Sequence, residues 1–384
     1  MKAITLSAEY LHSPHRSIIP APNDHRLAQP EHPSPGDGLD PTSLDDRALA
    51  SVRSFLAQGE SRNTRRSVDS AMRYWSAWFE LRYHRPLGFP VQAATVMQFI
   101  IDHLERLSDD GSLSHDLPDD VDEQLVKRGV KAATGALALN TVMHRIAILS
   151  SAHRERKLPT PTDDSNVYEL LESIRRAYAV RGVRPSRKTA LTKDLLEAVL
   201  NTCGDDLKGM RDRAILLFAF SSGGRRRSEV CEAVMENLQV VGENAYVYRL
   251  ARSKTDPTGE DHASDAYKPI VGVAASALTK WLAASGITSG PIFRRIRRKT
   301  VTNEMLSGDS IHYIVQHRTA LAGLVGSFGA HSLRSGFVTE AGRQNISLGE
   351  VMAMTGHRCA KTALQYFQAG AMQSNRAAKL IDYR

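Results

Sequence analysis

Arg226, Lys254, His331, Arg334, His357 and Tyr366 follow one another down the second half of this 384-residue chain, and together they could break a phosphodiester without a metal. Two guanidiniums can hold the non-bridging oxygens of a phosphate, where charge builds in the transition state. Imidazoles and an ammonium can move protons. A phenol can attack, although with an ordinary pKa of about 10 it needs a base and a cationic field at neutral pH. No member persuades alone. His331 and Arg334 form an H-x-x-R pair of a kind that arises often by chance, and a run of arginines is as readily a solvated, salt-bridged cluster. Tyr366 beside Phe367 reads by itself as a core aromatic. What points to the chemistry is the ordered set.

The elements that must position these groups are mostly helical. Ser222-Gly-Gly-Arg-Arg-Arg-Ser-Glu229 passes from a loop into a helix start, where paired glycines and a guanidinium suit a phosphate. It is not a nucleotide-binding loop, because G-x-x-x-x-G-K-S/T is absent. Gln239–Leu250 and Ala266–Val273 read as strands with Lys254 in the turn between them. Leu191–Asn201, Arg211–Phe220, Ala275–Ala284, Ser310–Leu324, Ser332–Arg343, Ser347–Met354 and Lys361–Gln368 read as helices, and Ser347-x-x-Glu350 is a capping box. Thr355-Gly-His357 closes one helix, and Tyr366 falls nine residues further on.

The first half reads as a helical domain. Ser43-x-x-Asp46 resembles a helix start, with Leu49, Val52 and Leu56 following on one face. The stripe Val68, Met72, Trp75 and Phe79 predicts a helix over about 63–83, with Arg65, Arg66 and Arg73 off the stripe and Pro86 as its stop. At this spacing Trp75 and Trp78 are core rather than base-stacking residues. A helix over about 94–107 comes next. Asp109, Asp110, Asp116, Asp119, Asp120, Asp122 and Glu123 then read as a solvated acidic loop rather than a metal site. A helix from Asn140 to Arg156 buries Val142, Ile146 and Leu149 and exposes Arg145, Arg154 and Arg156, and another covers Val167–Val180. Residues 181–190 break the periodicity with Gly182 and Pro185 and carry Arg181, Arg184, Arg187 and Lys188, a basic linker also suited to a phosphate backbone. Residues 1–42, with seven prolines, read as a flexible tail.

An apolar content of 42% allows a substantial core, in two domains at this length. The net charge of +8 favours a polyanionic partner without requiring one. Cys203, Cys231 and Cys359 form no paired framework or zinc pattern, which suits a reducing cytosol. No apolar run is long enough to span a bilayer, and no secretory leader is expected. No metal or cofactor site is read.

Gly-x-Arg-x-Ser-Glu ending at Glu229, Ser253-Lys254-Thr255 in a hairpin, His331-x-Leu-Arg334, Gly356-His357 and Tyr366 together resemble the tyrosine recombinases, or phage integrase family, over about residues 45–384. Trp75-Ser-Ala-Trp78, Leu158-Pro-x-Pro161 and Arg252-Ser-Lys254 resemble its Cre-type members most. In the arginine run, Ser228-Glu229 sets the register and selects Arg226. His357 follows most of the family, whereas the Cre type has tryptophan there.

The resemblance implies a mainly α fold with a small antiparallel β-sheet in the C-terminal domain. A core-binding domain (43–180) and a catalytic domain (191–384) would form a C-shaped clamp on duplex DNA. It also implies roles. Tyr366 attacks phosphorus to form a 3′-phosphotyrosyl link, His331 is the base and Lys254 the acid. Arg226 and Arg334 hold the phosphate, His357 donates a hydrogen bond to it, and Glu229 orients the network. No metal, ATP or other cofactor is implied. DNA contacts are expected at Arg65, Arg66, Arg73, Arg145, Arg184, Arg187 and Lys188. The partners implied are double-stranded DNA with an inverted-repeat site and further copies of the chain, a tetramer on two sites, with Ser374–Asp382 docking on a neighbour. A type IB topoisomerase, and a DNA-binding module that has lost catalysis, are the competing classes.

Overall fold

Trp75 and Trp78 are fully buried on α2 (Arg62–Tyr83), Trp75 stacked on Phe99 with ring centroids 3.8 Å apart. Each indole N–H finds an acceptor: Trp75 Nε1 donates to Arg145 O at 3.0 Å and Trp78 Nε1 to Asp102 Oδ2 at 2.9 Å. A buried aromatic with a polar tip requires such partners, so these contacts fix the register of α2. The computed structural model describes residues 45–59, 61–183, 187–250, 266–357 and 359–371, in two units, Met1–Pro185 and Ser186–Arg384. The tail at 1–42, Ser43, Arg184, the Arg252-Ser-Lys254 turn and the segment Ser374–Asp382 lie outside the described residues.

In the first unit α1 (Asp46–Gly59) begins at Asp45, whose carboxylate accepts the Ala48 N–H at 2.6 Å. The Ser61 hydroxyl caps α2 by accepting the Thr64 N–H at 3.1 Å. Then α3 (Ala93–His103), α4 (Asp119–Lys127), α5 (Leu139–Glu155) and α6 (Ser165–Val180) enclose a core of Tyr74, Trp75, Phe99, Leu125, Ile146 and Leu171. Two expectations fail here. The helix over 94–107 stops at His103, because Leu104 turns extended and β1 (Arg106–Leu107) pairs with β2 (Leu113–Ser114). The acidic stretch is not wholly a solvated loop: residues 119–127 form α4. Asp119, Asp120 and Asp122 lie in its first turn, where they complement the helix dipole, and Val121 and Leu125 turn into the core. Asp122 is itself buried against Lys131.

The second unit is built around α8 (Leu207–Ser221), whose residues Ala214–Ala219 are buried. Around it lie α7 (Lys193–Asn201), the short α9 (Arg227–Cys231), α10 (Gly272–Ser285), α11 (Gly308–Leu321), α12 (Ala330–Arg343), α13 (Leu348–Thr355) and α14 (Ala360–Ala371). A three-stranded antiparallel sheet, β3 (Leu238–Gly242), β4 (Ala245–Arg249) and β5 (Tyr267–Val271), turns Tyr246, Tyr248 and Ile270 inward. The single strand expected over 239–250 is thus a hairpin. Gly242 and a left-handed Asn244 (φ 53°) supply a turn that the continuous Val/Tyr enrichment conceals. A further hairpin, β6 (Arg294–Arg297) and β7 (Thr300–Met305), was not expected: its strands are rich in arginine, and its turn is Arg298-Lys299 rather than a glycine pair.

Candidate active site

Four elements bring five of the six expected groups together. At the start of α9, Glu229 accepts from the Arg226 backbone N–H (3.1 Å) and from Arg226 Nη1 (2.7 Å). One carboxylate therefore closes the helix end and holds the guanidinium. Arg226 is half-buried, whereas its neighbour Arg225 is 3% exposed and points inward. Preceding them is Gly224 at φ 66°, where a Cβ would lie 2.4 Å from Arg334 Cα. Only glycine satisfies both the left-handed backbone and that approach.

On α12, His331 and Arg334 lie one turn apart. Arg334 is buried, and it donates from Nη1 to Gly224 O (3.1 Å) and from Nη2 to Thr355 O (2.7 Å), joining the glycine loop to the end of α13. Burial, then Arg226 and Arg225, pull its pKa down to about 9, still charged at neutral pH. His357 follows Gly356, the left-handed cap of α13 (φ 68°), and its Nδ1 is 2.7 Å from the Thr355 hydroxyl. Desolvation, reinforced by Arg334, Arg226, His331 and Arg225, lowers His357 to about 4. His331 is also held below its ordinary value, by desolvation and then by Arg334 and Arg226. Both imidazoles are therefore neutral at pH 7.

Tyr366 sits on α14, which crosses α12 closely. A Cβ on Gly370 would lie 1.9 Å from Thr339 O, so glycine sets this approach. The crossing places Tyr366 Oη 3.3 Å from His331 Nε2, with the rings edge to face. The phenol ring rests on a small cluster with Phe367, Val338, Ala341 and Val351 and is half-buried. Such a site can pass a proton from phenol to imidazole beside two guanidiniums. Lys254 lies outside the described residues.

The residues expected along DNA fare differently. Arg65, Arg66 and Arg73 are exposed on α2. Arg145 is not the exposed residue expected on α5. Its guanidinium lies 3.3 Å from the centroid of the buried Tyr74 ring, and desolvation lowers its pKa. The helical stripe was read from aliphatic residues alone, and it missed that a guanidinium can cover an aromatic face. Arg187 reaches Gln365 Oε1 at 3.3 Å, and Lys188 reaches Ser327 Oγ at 2.9 Å. Arg184 lies outside the described residues.

Some contributors had escaped the motif. Thr355 serves Arg334 with its carbonyl and His357 with its hydroxyl, and its place before Gly356-His357 was the available signal. Lys268, buried on β5, donates from Nζ to Ala353 O at 2.6 Å. Nothing in its local sequence marks it.

Residues 189–372 match the family model described as the phage integrase family. The integrase/recombinase xerD homolog of Selenomonas ruminantium is 28% identical over 331 residues, which are 85% of this chain and 87% of that protein. Two solved structures share the fold. One is a lambda integrase dimer bound to a COC′ core site, with TM-score 0.50, 16% identity, and coverage of 84% of this chain and 94% of that one. The other is the Tn1549 transposon integrase in complex with transposon right end DNA, with TM-score 0.51, 12% identity, and coverage of 86% and 98%. The segment 189–372, which carries the candidate site, is thus similar to the phage integrase family, the tyrosine recombinases.

Proposed function

We propose that the chain is a site-specific DNA recombinase that cuts and rejoins strands through a 3′-phosphotyrosyl intermediate. The observation that carries this reading is the Tyr366 hydroxyl 3.3 Å from a neutral imidazole, His331, in a site that also holds Arg226 and Arg334. In cleavage, His331 takes the phenolic proton as Tyr366 Oη bonds to phosphorus. The bond from phosphorus to the 5′-oxygen breaks, and Lys254 protonates that oxygen. Arg226 and Arg334 balance the charge gained by the non-bridging oxygens. When Thr355 donates to His357 Nδ1, the ring proton is on Nε2, the tautomer that can hydrogen-bond a phosphate oxygen. Glu229 orients Arg226. Rejoining reverses the steps: an incoming 5′-hydroxyl attacks phosphorus and Tyr366 leaves. The phosphotyrosyl bond conserves the energy of the bond broken, so the scheme needs no ATP, and the cationic side chains supply the charge stabilisation that a metal would otherwise give.

The substrate is duplex DNA with an inverted-repeat site. Residues 43–180 act as a core-binding domain and 191–384 as the catalytic domain, and a tetramer assembles on two sites through Ser374–Asp382. The exposed arginines of α2 suit phosphate contacts, while Arg145, turned onto Tyr74, serves the core instead. The experiment is a nicked suicide duplex mixed with the wild-type chain and with Tyr366→Phe. Wild type should give a covalent protein–DNA adduct, and the variant should bind equally but give none. An adduct from Tyr366→Phe removes this residue from the role.

A further inference from the structure

Arg225 stands at the edge of the site with no part in the steps above. Its guanidinium is enclosed: Nη2 donates to Met354 O and is 3.5 Å from Gly223 O, and Nη1 lies 3.6 Å from Glu229 Oε2. Arg334 makes the same span one residue further along each segment, from Gly224 O to Thr355 O. With Lys268 on Ala353 O, three successive carbonyls at the end of α13 each receive a basic side chain from a different element: β5, the glycine loop and α12. Last-turn carbonyls carry the negative end of the helix dipole, so cations suit them. Packing alone does not explain an arginine here. A buried guanidinium loses hydration, and an apolar side chain of similar length would fill the space without that penalty. Arg225 and Arg226 also share the single carboxylate of Glu229, so Arg225, Arg226 and Arg334 together leave a surplus of positive charge.

We propose that Arg225 is a positioning residue of the catalytic centre: it laces the glycine loop to the end of α13, so that Arg334 and His357 face the scissile phosphate, and its charge strengthens the positive field there. This rests on the phosphate-binding roles assigned above to Arg334 and His357. His357 is faced by Arg334 and His331 from α12, by Arg226 and Arg225 from the glycine loop and the start of α9, and by the Thr355 hydroxyl. Arg225 is the smallest of the charged contributors that hold this ring low.

Two substitutions in the full chain separate charge from geometry. Arg225→Met removes both, whereas Arg225→Lys keeps the charge and loses the planar group that reaches Met354 O through Nη2 and Glu229 through Nη1. The readouts are the His357 ring titration by NMR and single-turnover cleavage of the suicide duplex. Arg225→Met should raise the His357 pKa by about half a unit and slow cleavage by about 10–100-fold at unchanged DNA affinity. Arg225→Lys should return the titration to the wild-type value yet recover only part of the rate. Wild-type cleavage by Arg225→Met, or a titration that neither variant moves, overturns the proposal. If Arg225→Met does not fold, the lysine variant decides: a slowed rate with an unmoved titration supports lacing, and a wild-type rate overturns it. A wild-type chain that forms no Tyr366 adduct would instead break the phosphotyrosyl reading, while the titration still reports on Arg225.

Discussion

The first unit and the site of the second bury charge in different ways. In the first, buried carboxylates are matched: Asp122 takes Lys131 and the Gly135 N–H, and Asp102 takes Arg82, Trp78 and Gln98. Arg145 has an aromatic face instead of a carboxylate. At the site of the second unit, Arg225 and Arg226 share Glu229, Arg334 has only backbone carbonyls, and two histidines are held neutral beside them. Matched charge specifies a core. Unmatched positive charge in a partly open site suits an anion, and His331, Arg334 and His357 are all held below their ordinary values there.

The comparison can be broken most forcefully at Arg226. Arg226→Ala should slow strand cleavage by on the order of 10³-fold, about 4 kcal/mol of transition-state stabilisation, while gel-shift affinity for the duplex changes only a few-fold. Equal losses in both assays would make Arg226 an anchor, and the contrast between matched and unmatched charge would fail. In the first unit the corresponding cut is Lys131→Met, which strands Asp122 in the core. It should lower stability by about 3–5 kcal/mol, read from the urea midpoint. Replacing both partners with apolar residues should restore much of that loss, which a functional charge would not allow.

Acid should loosen both units, and the sign follows from the titrations. His103 is lowered to about 3 by burial and His357 to about 4, against an ordinary value of 6.5. Below pH 6.5 the unfolded chain therefore binds more protons than the folded one. Stability contributed by each neutral ring is complete above that pH and is lost as pH falls toward the lowered value. Cleavage should show its own acid limb below the ordinary histidine range, because in the proposed scheme His331 accepts the phenolic proton as a neutral ring. His103→Gln should flatten the acid dependence of stability and leave the cleavage profile in place. The smallest effects belong to the surface: Arg65→Ala, Arg66→Ala and Arg73→Ala should each reduce the salt dependence of DNA binding by about one phosphate contact, with stability changed by less than about 0.5 kcal/mol.

Much of the fold is legible because helical periodicity is local. Met72, Trp75 and Phe79 locate α2, and Val142, Ile146 and Leu149 locate α5. The same logic misjudges Arg145, whose burial depends on Tyr74 some seventy residues earlier. It also reads through the turn at Gly242–Asn244, since strand propensity continues on both sides. The candidate site is legible as an order of residue types, and Ser228-Glu229 separates Arg226 from its neighbours: the carboxylate of Glu229 holds Arg226 by both backbone and side chain. Lys268 and Thr355 were hidden, because what they supply to the site passes through backbone carbonyls and a hydroxyl that no motif records.

By itself, then, the amino-acid order determined the candidate reactive groups, their spacing and most of the helices that carry them, since these depend on side-chain chemistry and near-neighbour spacing. Tertiary structure alone decided that Tyr366 meets His331, that Arg225 turns inward while Arg226 stays at the site, and that Arg145 belongs to the core. Those outcomes depend on how closely distant helices approach, and that is set by a glycine facing a carbonyl and by which cation can find acceptors once water is gone.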